Sequence, residues 1–123
     1  MFNGKAVVLV VEDSPIIRMG AVDLVRSAGY VALEADSADE AIRMLESRAD
    51  IDLVFTDVQM PGTMDGIKLS HHIRDRWPPV KLIVASGESV LEEIYLPQGS
   101  QFFSKPYRDH AVADAMARML LSD

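Results

Sequence analysis

The sequence predicts an α/β domain: a five-stranded parallel sheet, doubly wound, with a helix following each strand. Three observations predict it. Apolar runs of strand length alternate five times with segments of helical periodicity. The first run, "AVVLVV" at 6–11, is continuous and β-branched, the pattern of a strand covered on both faces. Each connection is long enough to hold a helix, as a crossover between parallel strands needs, and right-handed crossovers place helices on both faces.

The elements follow in order. After the first strand, Ser14-Pro15 supplies an N-cap and an N1 proline, and Gly29 stands where a helix ends on a C′ glycine. Between them Ile17, Ala21, Leu24 and Val25 fall on one side. "YVALEA" (30–35) reads as the second strand. Ser37-Ala38-Asp39-Glu40 has capping-box form, and Ala41, Ile42 and Leu45 continue at helical spacing. "IDLVFT" (51–56) is the third strand, followed by a helix from about Gly66 to Trp77 with Leu69, Ile73 and Trp77 four apart. "VKLIVAS" (80–86) is the fourth strand. "SVLEEIYL" makes a short helix that Pro97 and Gly99 cut off, "QFFS" (101–104) is a weak fifth strand, and 107–121 is a final amphipathic helix.

The 123 residues make one domain, 1–123, large enough for a proper core. At 49% hydrophobic and 25% charged, the composition is that of an ordinary globular protein. With no cysteine, disulfides and thiolate metal sites are excluded, which fits a reducing compartment. The N-terminal apolar run is too short for a membrane span and lacks a cleavage site, so the expected location is cytoplasmic. A net charge of −7 disfavours DNA binding, whose affinity comes mainly from basic residues on phosphates. His71, His72 and His110 read as surface residues, and the six internal methionines among seven as core filler.

Ligands of open parallel sheets bind beyond the carboxyl ends of the strands, so the residues there decide the chemistry. The first strand exits at Glu12-Asp13, the third at Asp57, the fourth at Ser86 and the fifth at Lys105. The second offers Glu34 or Asp36, which fall outside the expected site. Three carboxylates at one edge repel, and burial raises the cost of their charge. A divalent cation offsets both. Oxygen donors without cysteine or histidine suit Mg²⁺, a hard ion that keeps several waters. Asp13 and Asp57 are the expected direct ligands, Glu12 contributes directly or through water, and the backbone carbonyl of Gln59 completes the set. The bland alternative for Glu12 and Asp13 is that they only cap the first helix. An ionised, metal-bound carboxylate beside an ammonium and a hydroxyl is a receptor for a phosphoryl group, whose transfer needs positioning and charge stabilisation more than a base. Lys105, Ser86 and backbone N–H groups near 58–59 and 87 supply them, leaving Asp57 as the nucleophile that becomes an aspartyl-phosphate.

Four motifs in order, "LVVEDS", "FTDVQMPGTMDG", "VAS" and "FFSKP", resemble the receiver domain of two-component response regulators over essentially the whole chain. The resemblance implies the flavodoxin-like strand order 2-1-3-4-5 and a single-domain, phosphorelay function. Asp57 would accept phosphate from a sensor histidine kinase or histidine phosphotransfer protein, with Mg²⁺ held by Glu12, Asp13 and Asp57. Ser86 and Lys105 would read the phosphoryl group, the Lys105–Pro106 bond would be cis, and Phe102 would be the switch aromatic, where the bland reading is plain core. Signalling would follow by conformational change and contact with a downstream protein. Two departures stand out: two residues, Gly62 and Thr63, between Met-Pro and Met-Asp-Gly where the family usually has one, and a shortened interval from Ser86 to Lys105. Gln59 and Glu88 flank the site and would tune phosphate lifetime.

Two further readings compete. One is an adaptor that keeps the fold without being phosphorylated, or a receiver cut from a hybrid histidine kinase. The other is a hydrolase with an aspartyl nucleophile, which needs a second acid two residues on. Gln59 follows Asp57 at that spacing and Pro15 follows Asp13, so no turnover of external phosphoesters is expected.

Overall fold

The computed structural model describes residues 5–60, 62, 64–87 and 95–121. Five parallel strands, β1 (Val7–Val11), β2 (Val31–Ala35), β3 (Leu53–Asp57), β4 (Lys81–Ser86) and β5 (Gln101–Ser104), form one sheet in the order β2-β1-β3-β4-β5. Four helices are described: α1 (Pro15–Ser27), α2 (Ala38–Ser47), α3 (Gly66–Arg76) and α4 (Asp109–Leu121). The short helix expected from 89 lies largely outside the described residues. Of that stretch, Tyr95 and Leu96 are described and belong to no α-helix.

Side chains alternate across each strand, which divides the core in two. Val7, Leu9, Val11, Val54 and Leu82 meet α2 and α3 on one face. Val8, Val10, Leu53, Phe55 and Ile83 meet α1 and α4 on the other. Every residue of β1 and β3 is buried, because both strands have neighbours on either edge and helices above and below.

Local signals explain most boundaries. Ser14 caps α1, its hydroxyl accepting from the Ile17 N–H, and Gly29 leaves the helix at φ 97°, a conformation that favours glycine. Ser37 Oγ accepts from the Glu40 N–H at 3.1 Å, but the Glu40 carboxylate returns to the Asp36 N–H at 2.8 Å, one residue earlier than a capping box has it. Asp65 caps α3. Strand β3 starts later than expected, after Asp52, whose carboxylate accepts from the Val7 N–H at 2.8 Å, and it runs on to Asp57, which still pairs with Ala85 of β4. Helix α4 begins at Asp109 rather than 107. Ile17 is half exposed instead of core, and Met19 stands 64% exposed, so not all the internal methionines are filler. His71 and His110 are exposed, while His72 is half-buried against the Trp77 ring.

Candidate functional site

The carboxyl ends of β1, β3, β4 and β5 come together at one edge of the sheet. Asp57 is the last residue of β3 and lies on the same face as Leu53 and Phe55, toward α1 and α4. The side chains of Glu12, Asp13 and Asp57 bring one carboxylate oxygen each within 4.8 Å of one another. Lys105 Nζ lies 2.7 Å from Asp57 Oδ1 and 3.6 Å from Glu12 Oε1. The peptide after this lysine, Lys105–Pro106, is cis, as expected. Glu12 and Asp57 are buried, whereas Asp13 is exposed at the mouth.

Burial pushes the Glu12 carboxyl up, against the Ser14 N–H that donates to its Oε2 at 3.0 Å. Burial also pushes Asp57 up; the Lys105 hydrogen bond and charge pull the other way and do not fully offset it. Burial acts to lower Lys105, yet the bond and charge of Asp57 outweigh it, so the ammonium is held above its ordinary value. Three carboxylates against one ammonium leave two uncompensated negative charges. A hard divalent cation matches that deficit in charge and in donor chemistry, so the residues present fit Mg²⁺.

The Asp57 backbone is fixed from several sides. Thr56, 1% exposed, donates its hydroxyl to the Asp57 carbonyl at 2.9 Å. The Val58 N–H continues the ladder to the Ala85 carbonyl at 3.0 Å, and the Gly66 N–H closes the following loop onto the Val58 carbonyl at 2.9 Å. A Cβ at Gly66 would come within 2.1 Å of the Asp57 carbonyl oxygen, so only glycine lets α3 start this close to the strand end.

Ser86 is fully buried at the end of β4, and the Gln59 amide encloses its hydroxyl: Nε2 donates at 3.0 Å and Oε1 accepts at 3.2 Å. Gln59 thus meets the site through its side chain. Lys105 is tied to β4 by its N–H on the Ser86 carbonyl at 2.8 Å. Phe102 is half-buried on β5 and belongs to neither core cluster of the described residues, whereas its neighbour Phe103 packs against one of them. Glu88 lies outside the described residues.

The expected site residues Glu12, Asp13, Asp57, Ser86 and Lys105 therefore share one edge, with Gln59 beside them and Phe102 one strand away. The strand-end argument passes over Arg18, Gly66 and Tyr107. Tyr107 lines the cleft with Val10, Ile17, Phe55 and Lys105, and burial pushes its phenol up. Arg18 donates from one nitrogen to the Glu12 carbonyl at 2.8 Å and from another to Glu34 at 3.1 Å. The available signal for Arg18 was a basic residue one turn into the helix that follows the acidic pair.

Comparison with known proteins bears on the fold and the family. The family model described as "Response regulator receiver domain" matches residues 8–117. The chain is 36% identical over 124 residues to the sensor kinase CckA of Brucella abortus, covering 96% of this chain and 13% of the kinase. It is 37% identical over 119 residues to the response regulator protein FleR of Pseudomonas aeruginosa, covering 94% of this chain and 25% of the regulator. Among solved structures, a response regulator receiver protein from Sinorhizobium medicae superposes with a TM-score of 0.88 at 26% identity, covering 94% of each chain. The chain thus spans a quarter or less of the two curated relatives.

Proposed function

The chain belongs to the response regulator receiver domain family, and on that premise we propose that Asp57 takes a phosphoryl group from a phosphohistidine of a sensor histidine kinase or phosphotransfer protein. The observation that carries this reading is the Asp57 carboxylate at the end of the most enclosed strand, 2.7 Å from Lys105 and grouped with Glu12 and Asp13. In the step, a carboxylate oxygen of Asp57 forms the new O–P bond as the N–P bond of the donor breaks. The imidazole leaves with the bonding electron pair and takes a proton from solvent.

Glu12, Asp13 and Asp57, with the Gln59 carbonyl as a further ligand, would hold Mg²⁺, which would supply charge neutralisation for the phosphoryl oxygens. Lys105 adds a cation already in contact with the acceptor. Ser86 offers a hydroxyl that must let go of the Gln59 amide to meet a phosphoryl oxygen. Phe102, outside both cores, is the aromatic that moves with it. No acid stands where an aspartyl hydrolase needs one, so the chain turns over no external phosphoester.

The donor is a protein. Ile16 is 82% exposed, Ile17 48% and Met19 64%, on the first turns of α1, and a cleft lined by Ile17, Lys105, Pro106 and Tyr107 joins them to the site. A docking protein covers this apolar surface. Among the described residues, no helix is long and apolar enough to cross a membrane. The curated relatives of the domain include both a sensor kinase and a response regulator.

Incubation with acetyl phosphate tests the reading by intact mass. A Mg²⁺-dependent gain of one phosphoryl group, abolished by chelation and in Asp57→Asn, is expected. No gain with any small-molecule donor, or a gain retained in Asp57→Asn, overturns it.

A further inference from the structure

Glu34, the acidic residue that β2 delivers to the same edge, has no place among the metal ligands. Its partner explains it. Arg18, on the second turn of α1, donates its Nε to Glu34 Oε1 at 3.1 Å and its Nη1 to the backbone carbonyl of Glu12 at 2.8 Å. Its side chain is 19% exposed, against 48% for Glu34. The Glu12 N–H meanwhile donates to the Ala35 carbonyl at 3.1 Å. A ring results: β2 holds Glu12 by its N–H, and through Glu34 and Arg18 holds it again by its carbonyl.

We infer that Arg18, braced by Glu34, is a positioning residue that fixes the Glu12 peptide so that the Glu12 and Asp13 carboxylates face Asp57. Glu12 leaves β1 at the point where the sheet ladder gives out, and the peptide joining it to Asp13 carries both acids of the pair. A rotation of that peptide would swing one carboxylate away from the cluster. The contact to the carbonyl is charge-assisted and mostly sheltered from solvent, the setting in which such a bond is strongest. Partners of this kind, one step behind the ligands, change metal affinity by about 10-fold to 100-fold when removed.

Geometry and charge predict opposite signs. Arg18 is a cation beside an acidic cluster, so if its effect were electrostatic, removing it would tighten binding of a divalent ion. If it positions the acids, removal weakens binding. The inference rests on the Mg²⁺ reading above, and two measurements separate them. Mg²⁺ is titrated by calorimetry into the wild type, Arg18→Met, Arg18→Lys and Glu34→Gln. In parallel, metal-free protein is followed by amide hydrogen exchange at Ser14, whose N–H donates to Glu12 Oε2 at 3.0 Å and so reports where that carboxylate sits.

Arg18→Met is expected to bind Mg²⁺ about tenfold more weakly, Arg18→Lys to recover part of the loss, and Glu34→Gln to show a smaller one. Ser14 exchange accelerates in the same order, while the unfolding midpoint in metal-free buffer changes little. Methionine is a good helix former, so α1 survives the change. Unchanged or tighter Mg²⁺ binding in Arg18→Met overturns the inference and leaves the metal reading standing. A wild type that binds no Mg²⁺ overturns the metal reading, and Ser14 exchange unchanged in Arg18→Met then overturns the positioning role on its own.

Discussion

Strand β3 ends on a charged residue of the site and β5 delivers one just past its last residue, yet the two are built differently. Strand β3 is buried from Leu53 to Asp57 and pairs with β1 on one side and β4 on the other. Strand β5 has four residues, lies at the sheet edge, and is exposed at both ends with only Phe102 and Phe103 half-buried between. The Asp57 carboxylate therefore sits on a central strand and the lysine facing it beside an edge strand. On the proposed function this division suits the roles: an acceptor is to be held in place, whereas a group that reads the phosphoryl group is to move with little disruption of the core.

Truncating one aromatic on each strand measures the contrast. Phe55 is 4% exposed and packs its ring against Tyr107 at 5.8 Å, so Phe55→Ala is expected to lose about 3–4 kcal/mol. Phe102→Ala should lose about 1 kcal/mol, since half-burial already leaves much of its surface in water. Urea unfolding gives both numbers, and comparable losses would erase the distinction between centre and edge.

A glycine marks the same centre. Because a Cβ on Gly66 would overlap the Asp57 carbonyl, Gly66→Ala must push α3 or the acceptor peptide aside, at a cost of about 2–3 kcal/mol. A drop in the urea midpoint with an unaltered slope is expected. A variant as stable as the wild type would mean that the strand end yields more readily than its bonding suggests.

Much of this was legible before any coordinates. The alternation of periods gives five strands, and the charged residues at three exits give Glu12, Asp13, Asp57 and Lys105, with the hydroxyl of Ser86 at a fourth, because strand ends are where such sheets expose chemistry. What stayed hidden depends on contacts between elements distant in sequence. Nothing around Arg18 announces that its partners are a β1 carbonyl and a β2 carboxylate. The Gln59 amide on Ser86 joins residues 27 apart. Ile17 has a core spacing but lies at the rim of α1, where the cleft replaces a packing partner. Asp52 looks like part of a strand and is a staple beneath it.

Charge at the centre sets the next effect. Glu12 and Asp57 both titrate above their ordinary carboxyl values because they are buried, so the folded state holds their protons more tightly than the unfolded chain. The resulting stability is complete below the ordinary carboxyl range and is lost as pH rises through the raised values. In metal-free buffer at neutral pH, Asp57→Asn should therefore be more stable than the wild type. Its advantage should disappear on acidification, where Asp57 is already neutral. Added Mg²⁺ should reverse the order by stabilising only the wild type. An Asp57→Asn variant that is less stable than wild type without metal would mean that Lys105 outweighs burial.

The smallest effect belongs to the periphery and has the opposite sign to that at Gly66. Gly20 sits inside α1 with nothing within 4 Å of where a Cβ would go and with an ordinary helical backbone. Alanine there removes freedom from the unfolded chain and clashes with nothing, so Gly20→Ala should gain about 0.5–1 kcal/mol in urea unfolding. Both glycines lie in helices, and the same substitution costs stability at one and adds it at the other because only Gly66 of the two touches the backbone of Asp57. If Gly20→Ala also destabilised the fold, the outer face of α1 would have to be packed as tightly as the inner face of α3, and the docking surface proposed there would lose its basis.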